Sequence, residues 1–282
     1  MNRIFVFLLF FFIGKFCLYS QRQITINERS KEIRIENRNI SKIPDSLFVY
    51  KEIESVYISF CTCENINKLI SSLSGFANLK RLYFQDVGIK KIPKSIKKLN
   101  NLETLSIIED TLSCISRKIK HTKLTTLIFR NVNLNVLSQR KQNKIFKSIS
   151  TIKDLFLLDL SDNNMDTLYM NFNKIEISKL FIYNNNFNHI PMCVCNMMNF
   201  GRLYEIMIDY SEDMTSEKCC LSGIQKKNRV IFHIYINFPQ NTNPEVIAEI
   251  LLKLKAKYPQ INYWYSTSIH QTHHAIESSP SQ

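Results

Sequence analysis

Apolar residues in this chain recur with neither the 3.6-residue period of a helix nor the alternation of a simple strand. Between residues 89 and 107 they fall at 89, 92, 96, 99, 102, 105 and 107, with lysines between them and Pro93 in their midst. The arrangement repeats along the chain. Leu79, Leu82, Phe84, Val87, Ile89 and Ile92 form one copy, and Leu124, Leu127, Phe129, Val132, Leu134 and Leu137 another. A third holds Leu155, Leu158, Leu160, Asn163, Met165 and Leu168, and a fourth Ile177, Leu180, Ile182, Asn185, Phe187 and Ile190. Further copies start at Ile53 and Leu102, and weaker ones at Ile33 and Ile206. The second apolar anchors stand at 33, 56, 82, 105, 127, 158, 180 and 206, a near-constant period.

A repeat of 20–29 residues with an Asn or Cys after paired anchors resembles the leucine-rich repeat. The half reading "IPKSIKKL" is similar to the IPxxIxxL variant, and the N-terminal Ser-Gln junction resembles secretory signals common in Bacteroidetes. The resemblance covers roughly residues 30 to 215. It implies an α/β fold: a right-handed leucine-rich repeat solenoid with a parallel β-sheet on its concave face. Each repeat would supply one short strand and one return segment, and stacked repeats would share a core that none could bury alone. Asn163, Asn185 and Cys61 take the position where a polar group turns inward to satisfy backbone left unpaired by the bend. Val87, Val132 and Arg38 depart from it. The longer spacings predict insertions near 64–74 and 140–150, with a further addition around 193–200.

Residues between the anchors of a strand point out of the sheet. One outward column reads Arg34, Tyr57, Tyr83, Ser106, Ile128, Asp159, Phe181, Met207, and the next Glu36, Ser59, Gln85, Ile108, Arg130, Ser161, Tyr183, Asp209. An idle solvated face would carry Lys, Glu, Thr and Ser. The aromatics here are residue types common at interface centres. The expected partner-binding residues are therefore Tyr57, Phe60, Tyr83, Arg130, Asp159, Phe181 and Tyr183. Asp159, Asp162 and Asp209 give the later repeats an acidic tendency that would suit a basic partner surface.

The ends read differently. Residues 1–20 have Arg3, then an apolar run from Ile4 to Ile13 too short to span a bilayer, which predicts a signal peptide cut after Ser20 and export. Cys17 lacks a lipobox before it. The repeat domain then covers 21–218. Residues 219–268 predict a strand, a helix capped by Asn243 with Pro244 first, and a second strand: a βαβ cap or small module. Residues 269–282 form a polar tail holding His270, His273 and His274.

Composition narrows the function. Five glycines and no GxGxxG or GxxxxGK[ST] leave no phosphate-cradling loop. Neither GxSxG nor HExxH occurs. No enzyme activity, no cofactor and no metal are expected. The charge of +13 permits a polyanion partner, but the lysines are dispersed and no Arg-aromatic cluster points to nucleic acid. Cys193, Cys195, Cys219 and Cys220 suit disulfides after export better than zinc, whose ligands are usually spaced Cys-x₂-Cys. The partner expected is a protein on the concave face. The alternatives are a carbohydrate or envelope polymer, with aromatics as sugar platforms and lysines for anionic groups, or a structural envelope role.

Overall fold

The structure, a computed structural model, describes residues 24–168, 172, 174–216, 219–223, 232–267 and 274–275. The signal segment with Cys17, and His270 and His273 of the tail, lie outside the described residues.

Twelve strands form one sheet. The first is β1 (Ile24–Asn27), which pairs antiparallel with β2 (Glu32–Glu36). From β2 the sheet runs parallel through β3 (Ser55–Ser59), β4 (Arg81–Gln85), β6 (Thr104–Ile108), β8 (Thr126–Arg130), β9 (Leu157–Asp159), β10 (Lys179–Phe181) and β11 (Glu205–Asp209). It continues, still parallel, into β12 (Phe232–Asn237) and β13 (Ile261–Ser266). A two-residue β14 (His274–Ala275) closes it antiparallel. Two short strands, β5 (Lys91–Ile92) and β7 (Cys114–Ile115), pair on the return side. The chain is a leucine-rich repeat solenoid.

The register follows the apolar pattern without a slip. Ile33, Val56, Leu82, Leu105, Leu127, Leu158, Leu180 and Ile206 are paired in succession across the sheet. All are buried, because they point into the space between sheet and returns. Burying each such side chain contributes about 1.5–3 kcal/mol, but only after a neighbouring coil covers it. A one-residue slip would turn the whole row to solvent, which is why the register is so well specified.

The returns vary. Three are 3₁₀ turns at Asp45–Val49, Lys94–Lys98 and Arg117–His121. The insertions are helices: α1 (Ile66–Leu73), started by the Asn65 side chain accepting from the Lys68 N–H at 3.0 Å, and α2 (Gln139–Ile149). The addition near 193–200 is α3 (Met192–Asn199). Between β12 and β13 runs α4 (Pro244–Lys257), where Asn243 accepts from the Glu245 N–H at 2.9 Å and Pro244 opens the helix. Ile247, Leu251 and Leu254 face the core.

In the large sheet, the bends that follow β2, β3, β4, β6, β8, β9 and β10 are built the same way. Asn37, Phe60, Asp86, Glu109, Asn131, Asp162 and Asn184 all have φ between 48° and 61°. The residue after the bend then satisfies the backbone from inside. Asn163 donates to the Phe129, Leu160 and Ser161 carbonyls at 2.7–2.9 Å and accepts from the Val132 N–H at 3.0 Å. Asn185 does the same for Leu160, Ile182 and Tyr183, and accepts from Met165. Cys61 contributes a weaker thiol contact to the Ser59 carbonyl. Asp110 accepts from the Gly88 and Ile89 N–H groups at 2.7 and 2.8 Å. Burial pushes its carboxyl above the ordinary range, and its second oxygen has no partner.

Candidate partner-binding face

The parallel register places side chains of successive repeats directly beside one another, one strand spacing apart. On the solvent side of the sheet this makes ladders. Arg34, Tyr57 and Tyr83 are consecutive rungs of one column. The Arg34 guanidinium lies 4.2 Å from the Tyr57 ring centre. The Tyr57 and Tyr83 rings are stacked with centres 4.4 Å apart and planes 3° from parallel. Burial raises the Tyr83 hydroxyl pKa, and the neighbouring Tyr57 adds to the shift. Phe60 stands at the strand's end beside this column, half exposed at 50 %. Its φ of 53° puts an aromatic residue in the left-handed region, where Asn or Asp serves in most of the equivalent bends.

Arg130, Asp159 and Tyr183 meet two to four repeats further on. The Arg130 Nε and one terminal nitrogen both reach Asp159 Oδ2, at 2.7 and 2.5 Å. The Ser161 hydroxyl and N–H donate to the other oxygen at 2.6 and 3.0 Å. The Arg130 guanidinium lies 5.5 Å from the Tyr183 ring centre. This geometry corrects two sequence expectations. Asp159 is 1 % exposed and Tyr183 is 6 % exposed, so neither offers a surface to a partner. The expected acidic tendency is also spent internally. Asp162 accepts from the Asn184 amide at 2.8 Å. Asp209 accepts from the Asn237 amide at 2.8 Å and the Asn185 N–H at 3.2 Å. Burial raises the Asp209 pKa, while the Asn237 and Asn185 hydrogen bonds act the other way. The three carboxylates tie neighbouring repeats together.

Phe181 begins a second solvent-side strip. Its register partners are Met207, Tyr235 and Trp264 in turn, all half-buried. Tyr235 and Trp264 are stacked, 5.8 Å between centres and 14° between planes. The Trp264 indole N–H donates to His233 Nδ1 at 3.2 Å. Beside the strip, Lys179 and Glu205 pair at 2.6 Å, and Lys179 lies 5.7 Å from the Phe156 ring centre. Tyr235 and Trp264 were missed because residues 219–268 read as a separate cap. The signal was present in the spacing: Ile234 and Tyr263 continue the second-anchor row 28 and 29 residues after its predecessors.

Of the four candidate disulfide cysteines, Cys195 and Cys220 are bonded, with Cα atoms 6.0 Å apart, while Cys193 and Cys219 are free. The bond removes two of the four thiols from any zinc site. Burial pushes the Cys193 thiol up to about 11, which makes it inert at neutral pH.

No family model matches the chain. It is 25 % identical over 199 residues to the zebrafish (Danio rerio) transforming growth factor beta activator LRRC33, covering 64 % of this chain and 28 % of that protein. It is 26 % identical over 175 residues to the human volume-regulated anion channel subunit LRRC8B, covering 59 % of this chain and 20 % of that one. The chain thus spans less than a third of the length of the curated relatives it matches. Human 5T4 (Wnt-activated inhibitory factor 1, trophoblast glycoprotein) superposes with a TM-score of 0.59 at 13 % identity, over 83 % of this chain and 86 % of that one. Register, bend chemistry and this likeness agree on one conclusion: the protein has the leucine-rich repeat fold.

Proposed function

We propose that the protein is an exported, non-enzymatic binding protein that engages a protein partner through the strand face of its solenoid. The observation that carries this reading is the solvent-side group of exposed Arg34 and Phe60 with half-buried, stacked Tyr57 and Tyr83 on a rigid sheet. Aromatic and arginine side chains held in place lose little entropy on contact and form the energetic centres of protein interfaces. The stacking also bears on the carbohydrate alternative. A sugar platform needs a free ring face, whereas Arg34 lies over the Tyr57 ring and Tyr83 is stacked against it. What Tyr57 presents is an edge and a hydroxyl, which suit a protein surface better than a pyranose. Phe181, Met207, Tyr235 and Trp264 supply a second contact strip. The Cys195–Cys220 bond supports export, since such bonds persist in oxidising compartments. Among the described residues no helix is long and apolar enough to cross a membrane.

The test is a cross-linking pull-down with the parent protein and the Tyr57→Ala/Tyr83→Ala variant, both checked for unchanged folding by circular dichroism. A protein captured by the parent and lost by the variant supports the reading. Equal capture by both removes the site from this face, and capture of a glycan alone replaces the partner class.

A further inference from the structure

The excess positive charge of this protein is not spread over it. The return segments 88–101, 111–125 and 131–153 hold 14 of the 37 basic residues and none of the 24 acidic ones. The rest of the chain has 23 basic residues against 24 acidic, so it is close to neutral. A compositional bias toward lysine would load every repeat alike. These three segments are consecutive in space: the 3₁₀ turn Lys94–Lys98 packs on the turn Arg117–His121, which packs on α2. All 14 basic side chains are exposed, and none pairs with a carboxylate, whereas nine basic residues elsewhere form ion pairs among the described residues. On α2, Arg140, Lys144 and Lys147 line a shallow depression with Gln139 and Asn143, opposite the face that buries Ile145, Phe146 and Ile149. Leaving so many like charges unpaired on adjoining coils costs stability through repulsion that an anionic surface would relieve.

We infer that this return face docks on an anionic lipid surface. Three features select a bilayer among polyanions. The charge spreads in two dimensions, across three coils and along each, matching a plane of headgroups where a polymer chain would need a track. Twelve of the 14 residues are lysine, a strongly hydrated point charge suited to attraction without tight dehydrated pairing, and only two are arginine, the residue of bidentate phosphate recognition. No Phe, Tyr or Trp side chain is exposed on the three segments to stack a base or a sugar, and His121 is the one exposed ring. Docked in this way, the protein turns its strand face toward the aqueous side. The inference stands independently of the partner proposed for that face.

The experiment is co-sedimentation of the full chain with vesicles of phosphatidylcholine alone or mixed with phosphatidylglycerol, at about 0.05 and about 0.5 M salt. Binding is expected only to the anionic vesicles and is expected to collapse at the higher salt. Neutralising three patch lysines, Lys97→Gln/Lys118→Gln/Lys144→Gln, should weaken partitioning by about 100-fold, since each lysine near an anionic surface is worth about fivefold. The control Arg29→Gln/Lys51→Gln/Lys174→Gln, at exposed sites off the patch, removes the same charge and should lose less than about a tenth of that effect. Equal binding to neutral vesicles, an equal loss in the control, or retention on immobilised heparin without binding to anionic vesicles would each overturn the inference.

Discussion

Phe60 and Asp110 occupy equivalent bends of different repeats, and each sets local stability against another demand. Phe60 sits in a left-handed conformation that costs a residue of its kind about 1 kcal/mol more than Asn. Such cost is retained where a side chain is needed. The Phe60→Asn variant should therefore be more stable by about 0.5–1 kcal/mol in urea denaturation, yet bind its partner more weakly. Asp110 fills the place that Asn163 and Asn185 fill elsewhere, but a carboxylate cannot donate to the backbone carbonyls as they do. Burial raises its pKa in the folded state above the unfolded value near 3.8. Its folded form therefore binds the proton more tightly, and stability is present below the unfolded pKa and lost as pH rises through the folded one. Asp110→Asn should stabilise the protein by about 1 kcal/mol at pH 7, with the advantage shrinking toward pH 4, as followed by denaturant midpoints. The converse substitution, Asn163→Ala, removes the side-chain hydrogen bonds to three carbonyls and one N–H, only Leu160 keeping a second one from Asn185, and should cost about 3 kcal/mol.

At the level of elements, α3 and the turn Cys220–Gly223 are joined by the Cys195–Cys220 bond across 25 residues. Loop-closure entropy for that length is worth about 3 kcal/mol. Cys220→Ser should lower the thermal midpoint by an amount that reductant reproduces in the parent and leaves unchanged in the variant. Strands and their register were legible in the sequence because a period-two face buried on one side tolerates no slip, so Leu82, Leu105 and Leu127 had to be neighbours. The helices α1 and α2 were visible only as extra spacing, and the one capping residue read from the sequence was Asn243 of α4. The face itself was half legible. Tyr57, Tyr83, Asp159 and Tyr183 all emerged from column position. The burial of Asp159 and Tyr183 did not, since the pairing of Arg130 with Asp159 across repeats is a contact between side chains that no column reveals. Tyr235 and Trp264 escaped because β12 and β13 carry the alternation of ordinary strands and lack the polar bend residue.

For the whole molecule, the sheet has two covered edges, with β1 antiparallel on β2 and β14 antiparallel on β13. A parallel stack exposes backbone and core at its ends, and antiparallel edge strands limit further pairing with other chains. Truncation after residue 223 removes β12, α4 and β13 and uncovers β11, whose Ile206 and Ile208 are at most 1 % exposed in the intact protein. The truncated chain should associate in a concentration-dependent manner by size-exclusion chromatography with light scattering, while the intact protein should not. The unbroken register also makes the sheet a ruler. Tyr57 on β3 and Trp264 on β13 are eight strand steps apart in one column, or ~38 Å at ~4.8 Å per step. An extended peptide would need at least about 11 residues to bridge them. Because the steps are fixed, excising one whole repeat would bring the two aromatic stacks closer by a single known increment, so the length of the partner's own footprint becomes something that can be measured by shortening the protein.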